Sequence, residues 1–203
     1  MDKVKDRETP AKSAERLSFV EPMYARTVQR LPQDDAWAYE VKFDGYRALA
    51  GSDSTGVTLW SRHGNVFTDQ FPQLADACEH LPRDTLLDGE IVAFKDGRIS
   101  FNLLHHRSSA QAIIFYAFDM IIHRARNLIR LPLENRREIL AEVLAELKPK
   151  TPLICLSEII GASPAQLIPL AKEFGFDGII AKRKDSYYEV GKRSGAWVKY
   201  NVR

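Results

Sequence analysis

Polar and apolar residues alternate along "WAYEVKFDGYRALAG", as a half-buried strand requires. Val41 and Phe43 fall on one face and Lys42 on the other. Asp44-Gly45 then breaks the run, and Tyr46-Arg47 restarts it. A second alternating stretch, "GVTLWSR", follows the turn "GSDSTG", so the two predict a hairpin. In "DQFPQLADACEHL" the period changes to that of a short helix, with Phe71, Leu74, Ala75, Cys78 and Leu81 on one side. "TLLDGEIVAF" reads as a strand closed by the turn "KDGR", and "FNLLHHR" as one or two helical turns. "AIIFYAFDMIIH" is almost wholly apolar, which places it centrally in a sheet. The clearest helix is "LENRREILAEVLAEL", striped by Ile139, Leu140, Val143, Leu144 and Leu147. "PLICLSEII" predicts a strand. "SPAQLIPLAKEFG" predicts a helix capped by Ser163, with Pro164 in its first turn and Gly175 at its end. Pro169 inside it predicts a kink or an early stop. "DGIIAKRK" and "GAWVKYNV" are the last strands.

Strands interleaved irregularly with helices point to the α+β class, a sandwich of sheets. No G-x-G-x-x-G and no G-x-x-x-x-G-K-[ST] loop occurs, so neither a Rossmann nor a P-loop nucleotide site is supported. The 203 residues suffice for one substantial domain, and 45% hydrophobic with 28% charged content is ordinary for a globular chain. The net charge of +2 hides an uneven distribution: Lys182, Arg183, Lys184, Lys192, Arg193, Lys199 and Arg203 crowd the C-terminal end. Cys78 and Cys155 lack metal-site spacing and read as buried thiols of a reducing compartment. "AIIFYAFDMII" contains Asp119 and is too short to span a bilayer. The charged residues 1–16 carry no secretory signal and read as a flexible tail, so a cytoplasmic location with no membrane partner is expected.

Charged clusters sit at the edges of the apolar strands: "KFDGYR", "SRHG" (Ser61 to Gly64), "LDGE" (with Asp88, Gly89, Glu90), "FYAFD" (with Phe115, Phe118, Asp119), "GFDGIIAKRK" and "GAWVKYN". Singly, each has a plain structural explanation. Lys42 would serve as an exposed strand lysine, the Asp-Gly pairs as turns, Phe118 as core and Trp197 as a packing anchor. His105 and His106 are adjacent and share no helix face, so they read as surface or local hydrogen-bonding groups. Together and in this order the clusters resemble the covalent nucleotidyltransferases: ATP-dependent DNA ligases, RNA ligases and capping guanylyltransferases. "KFDGYR" is similar to their K-x-D-G-x-R signature. The phrases as a set most resemble the ligase module of bacterial ligase D, the end-joining enzyme, over Leu17 to about Tyr200.

That resemblance implies an ATP-grasp-like nucleotidyltransferase domain over residues 17–203, two mainly antiparallel sheets flanked by helices with a nucleotide cleft between them. It implies that Lys42 attacks the α-phosphate of ATP and holds AMP as a phosphoramidate. Arg47 and Arg62 would bind the ribose and phosphate region, Glu90 would contact the ribose or orient the lysine, and Phe118 would stack on adenine. Asp177 would take the position of the Mg²⁺ (or Mn²⁺) ligand, Lys182 and Lys199 would touch the α-phosphate, and Glu40 would lie near the adenine. The implied substrates are ATP and nicked double-stranded DNA, in DNA repair. An OB-fold domain, not evident in these residues, and end-joining proteins are the implied partners.

Elementary chemistry fits these roles. A lysine must shed its proton to attack phosphorus, which burial and nearby cations favour. Cations placed in advance stabilise the charge that gathers on a transferred phosphate. Mg²⁺ takes hard oxygen ligands. A glycine such as Gly45 lets backbone approach closely. Two residues depart from the family pattern: Asp177 stands where glutamate is usual, and Asn201 stands where a second lysine commonly follows Lys199. An RNA ligase, a capping-type enzyme, and a degenerate nucleotide- or nucleic-acid-binding module are the alternatives.

Overall fold

The computed structural model describes residues 16–105 and 110–202, so all but the last residue of the tail expected over residues 1–16, together with His106 and Arg203, lie outside the described residues. In chain order the elements are β1 (Arg26–Thr27), β2 (Trp37–Lys42), β3 (Tyr46–Asp53), β4 (Gly56–Ser61), a 3-10 turn (Thr68–Gln70), α1 (Pro72–Cys78), β5 (Thr85–Lys95), β6 (Arg98–Ile99), α2 (Asn102–His105), β7 (Ala112–His123), β8 (Arg126–Asn127), α3 (Leu133–Leu147), β9 (Ile154–Leu156), α4 (Pro164–Glu173), β10 (Gly178–Arg183) and β11 (Trp197–Asn201). No described helix is long and apolar enough to cross a membrane.

The strands form two sheets. The smaller has the order β1-β11-β10-β2 and the larger β4-β3-β5-β7-β8, with β6 on β5 and β9 on β7. The pairings are antiparallel except β1 with β11 and β7 with β9. Alternation along each strand sorts the apolar side chains into three layers. Ala48, Leu59, Leu87, Ile91, Phe115 and their neighbours bury one face of the large sheet against α1 and α3, with Leu74, Cys78, Leu140, Val143, Leu144 and Leu147. Tyr39, Ile179, Ala181 and Val198 bury the outer face of the small sheet against Leu167 and Ala171 of α4. Leu49, Leu86 and Ile121 of the large sheet meet Trp197 of the small one in a third cluster, which joins the two inner faces.

The stretch Trp37–Ala50 is therefore not one interrupted strand. Its first half belongs to the small sheet and its second half to the large one, and Phe43, Asp44 and Gly45 carry the chain across. A Cβ on Gly45 would stand 2.2 Å from the Ile91 carbonyl oxygen and 2.9 Å from Glu90 Cγ. Gly45 thus serves close approach to β5. Gly89 and Gly178 serve the same purpose, against the Tyr116 and Tyr200 carbonyl oxygens at 2.5 and 2.0 Å. Of the four Asp-Gly pairs only Asp96-Gly97 places its glycine at positive φ, in the turn between β5 and β6; the other three are tight packing positions rather than turns.

Other expectations changed in detail. The first helix begins only at Pro72, preceded by the 3-10 turn, and the strand of "PLICLSEII" contracts to Ile154–Leu156. Cys155 on that short edge strand is half-buried, while Cys78 is fully buried as expected. Ser163 caps α4 through its backbone N–H, which donates to Gln166 Oε1 at 3.0 Å. The helix runs on through Pro169 to Glu173. Proline there forfeits a single backbone bond in the opening turns, a cost the packing of Leu167 and Ala171 offsets.

The stripe of α3 carries charge as well as apolar residues. Arg136 is fully buried: Nε and Nη2 donate to the two oxygens of equally buried Asp119, both at 2.7 Å, and Nη1 donates to the carbonyls of Leu131 and Ser186. Removing one partner of such a pair strands a buried charge, so Arg136→Ala should lower unfolding free energy by about 3–5 kcal/mol. Urea unfolding of the variant against the parent chain measures this.

Candidate active site

The register of the small sheet lays out one wall of the cleft. Lys42 pairs with Gly178, Glu40 with Ile180 and Ala38 with Lys182; Ile180 in turn pairs with Lys199 and Lys182 with Trp197. Period-two alternation puts all of these on one face. The facing wall comes from the large sheet, where Arg47 pairs with Glu90 and Glu90 with Tyr116. A break in register between Asp88 and Gly89 leaves Phe118 as the extra residue of β7, between Ala117 and Asp119. The walls enclose a cavity of about 520 Å³, bordered by Glu40, Lys42, Arg47, Arg62, Glu90, Phe118, Lys182 and Lys199. Asp177, the remaining residue singled out by sequence, reaches it through Lys42: Nζ donates to Asp177 Oδ2 at 2.8 Å, both side chains being about one-fifth exposed.

The structure brings every one of these residues together but changes what several are free to do. Arg47 donates from Nε and Nη2 to the two oxygens of buried Asp88, at 3.0 and 2.6 Å, and lies over the rings of Phe118 and Trp197. Burial alone would weaken its hold on the proton, but the Asp88 carboxylate more than reverses that, so Arg47 is held firmly charged. Tyr188 donates to the same Asp88 at 2.7 Å. Glu40 is buried beneath the cleft and accepts from Lys182 Nζ at 2.8 Å, Arg137 Nη1 at 3.0 Å and Ser157 Oγ at 2.8 Å. Lys182 is 2% exposed, with Nζ 4.2 Å from the Phe118 ring centre and 4.5 Å from that of Trp197. Its burial lowers its proton affinity, as does Arg137, against the pull of Glu40.

Four cations crowd the mouth. Lys199 is pushed down from the ordinary lysine range by burial and then by Lys42, Arg193 and Arg62. Mutual repulsion of this kind, opposed locally by Asp177, makes the mouth receptive to a polyanion. Glu90 is the reverse case: burial, reinforced by Asp88 and Asp44 and opposed by Arg47 and Lys42, pushes its carboxyl up to about 8. Among the described residues no group of three His, Cys, Asp or Glu side chains could hold a metal by itself. An ion bound here would draw most of its ligands from a phosphate, with Asp177 as the protein oxygen.

Sequence reasoning missed Arg136, Arg137 and Ser157, and the aromatic end of the cavity formed by Tyr46, Phe67 and Phe101. The arginines were detectable in principle, since Arg136 lies four residues before Leu140 and Arg137 three before it, on the buried stripe. Tyr46 Oη bonds the His105 ring at 3.1 Å, so that histidine is a local hydrogen-bonding group as expected.

A family model described as the ATP dependent DNA ligase domain matches residues 18–201. The multifunctional non-homologous end joining protein LigD of Mycobacterium bovis is 36% identical over 80% of this chain, a match spanning 21% of that protein. The SPbeta prophage-derived DNA ligase-like protein LigB of Bacillus subtilis is 33% identical over 89% of this chain and 67% of its own. A solved mycobacterial DNA ligase D complexed with ATP and MES superimposes with a TM-score of 0.77 at 32% identity, over 90% of this chain and 60% of the other. The chain thus spans about a fifth to a third of the length of the LigD relatives it matches.

The Glu90 carboxyl predicts a pH signature. Below about pH 4.5 it is protonated folded or unfolded. Between there and about 8 the unfolded chain ionises while the folded one holds its proton. The unfolded state then binds fewer protons, and stability falls as pH rises through that window. Glu90→Gln should remove this component, so its melting temperature should gain on the parent steadily from pH 5 to 8 in a calorimetric series.

Proposed function

The chain belongs to the ATP-dependent DNA ligase family, and from that premise we propose that residues 17–203 form an adenylation domain in which Lys42 becomes covalently adenylated. The amine of Lys42, freed of its proton and of Asp177, attacks the α-phosphorus of ATP. A nitrogen–phosphorus bond forms, the bond to the bridging oxygen of the β-phosphate breaks, and pyrophosphate leaves. AMP then passes to a 5′-phosphate at a nick in double-stranded DNA. Attack of the neighbouring 3′-hydroxyl joins the strand and expels AMP. The observation that carries this reading is the convergence of Lys42 and the other motif residues on one cavity.

The remaining roles follow from position. Lys199, Arg62 and Arg193 attract the triphosphate and, with Lys182 behind them, stabilise charge on the phosphate oxygens. Phe118 presents a ring to the purine, with Glu40 beneath it and Arg47 held against the same ring by Asp88. Glu90, protonated at neutral pH, is a hydrogen-bond donor suited to a ribose hydroxyl. Magnesium, or manganese in its place, would be held by Asp177 and the phosphates, and would supply charge neutralisation during phosphoryl transfer. An OB-fold domain and end-joining proteins, in the same polypeptide or separate, would complete the grip on DNA.

Incubation with α-labelled ATP and Mg²⁺ should leave label on the parent chain that survives alkali and is released by acid, as a phosphoramidate requires, and none on Lys42→Ala; equal labelling of both would overturn the reading. GTP in place of ATP separates this activity from a capping-type one. Binding to nicked duplex, read by fluorescence anisotropy, should weaken steeply between low and moderate salt, since phosphate contacts release condensed counterions.

A further inference from the structure

One buried side chain ties the two walls of the cleft together without lining it. Arg137 lies on α3 and is 6% exposed. Its Nη1 donates to Glu40 Oε1 on β2 and to the Phe118 carbonyl on β7, each at 3.0 Å, and its Nη2 donates to the Ser157 carbonyl beyond β9. Lys182 Nζ uses the same two acceptors, Glu40 Oε1 at 2.8 Å and the Phe118 carbonyl at 3.5 Å. Two cations therefore share one carboxylate and one carbonyl. Only Lys182 of the pair borders the cavity.

We infer that Arg137 is a positioning residue that reserves the charge of Lys182 for the phosphate of the nucleotide, an inference that rests on the adenylation reading above. With Glu40 ionised, the three groups carry one net positive charge. Because Arg137 stands behind Glu40, that surplus is presented at the cavity by Lys182. Without Arg137, Glu40 and Lys182 neutralise each other, and the cavity loses a cation although no cavity-lining atom has been removed. The arrangement also explains why a carboxylate is tolerated under an anion site: it is over-compensated and hydrogen-bonded by Ser157. Arg137 further fixes the Phe118 carbonyl at the irregular point of β7, which sets the ring beside Lys182.

The test measures initial labelling rates over a range of ATP, together with calorimetric binding of inorganic tripolyphosphate, which carries the phosphate charge and no base. Arg137→Met should raise the KM for ATP and weaken tripolyphosphate roughly tenfold or more, the order expected for losing one nearby charge in a partly desolvated site, while kcat at saturating ATP changes much less. Arg137→Lys, which keeps the charge, should bind tripolyphosphate nearly as the parent does. Glu40→Gln/Arg137→Met restores one net positive charge and should recover tripolyphosphate affinity to within about threefold of the parent. Unchanged KM and tripolyphosphate binding in folded Arg137→Met would overturn the inference, as would a double variant no better than the single one. Should Arg137→Met fail to fold, the double variant is compared with Glu40→Gln, and a loss of tripolyphosphate affinity well beyond threefold relative to the parent would overturn it. Absence of label on the parent chain would instead count against adenylation, and tripolyphosphate binding would still decide the role of Arg137.

Discussion

The crossing at Phe43-Asp44-Gly45 is the constraint on which the rest of the molecule depends. Three residues link the last position of a strand in the small sheet to the first position of a strand in the large one. Because the link is short, Lys42 and Arg47 must face each other across the seam wherever the sheets are joined. Because Gly45 sits against the Ile91 carbonyl, the seam closes to a distance no other residue permits. The apolar cluster of Leu49, Leu86, Ile121 and Trp197 holds the sheets together beside the seam, and the cleft is the space that cluster leaves. The K-x-D-G-x-R spacing is in this sense a mechanical specification. It places a lysine on one sheet and an arginine on the other, at a separation set by covalent geometry rather than by flexible loops.

A second feature follows from forcing charged strand edges together. Asp88, Asp119 and Glu40 are each nearly or wholly buried, and each is met by an arginine: Arg47, Arg136 and Arg137. Uncompensated, any of these carboxylates would be expensive to bury. The guanidinium fork satisfies both oxygens of Asp88 and of Asp119, and it spans Glu40 and two backbone carbonyls in the third case. Lysine could not replace these contacts from one point charge. The result is a buried polar floor, above which the cations Lys42, Lys199, Arg62 and Arg193 border the cavity. Pre-set charge of this kind acts on a phosphate without reorganising when it arrives.

Much of this was legible in the sequence. Period-two and period-3.6 patterns located the major strands and α3 within a residue or two, since packing selects those patterns directly. The ordered charged clusters marked the cleft, because the residues that meet a polyanion differ in kind from those of a core. What the sequence concealed was partnership. Helical spacing puts both arginines of "NRREIL" on the buried stripe, but it does not say what they meet there, because that is decided by the position of Asp119 and Glu40 on distant strands. Three of the four Asp-Gly pairs were ambiguous for a related reason. Asp-Gly is a common turn dipeptide, but at Gly45, Gly89 and Gly178 a neighbouring strand's backbone, remote in sequence, is what excludes a side chain. The two-residue strands β1, β6 and β8 were invisible because a bridge that short carries no periodicity at all.

The departures at Asp177 and Asn201 look less like defects once the geometry is drawn. Gly178 pairs with both Lys42 and Asn201, so Lys42, Gly178 and Asn201 form one row across three strands, and Asp177 stands just before β10 at the end of that row. The shorter aspartate arm still reaches Lys42 Nζ at 2.8 Å. A lysine at position 201 would add a cation to a mouth where Lys199 already feels Lys42, Arg193 and Arg62. Arg193, from the segment between β10 and β11, supplies positive charge there from a different point of the backbone, and its guanidinium is anchored by the Ala25 carbonyl and the Tyr24 ring. Charge at a phosphate site is a property of the summed field and not of a particular strand position, so a cation absent from one motif is compensated by one held across the cleft.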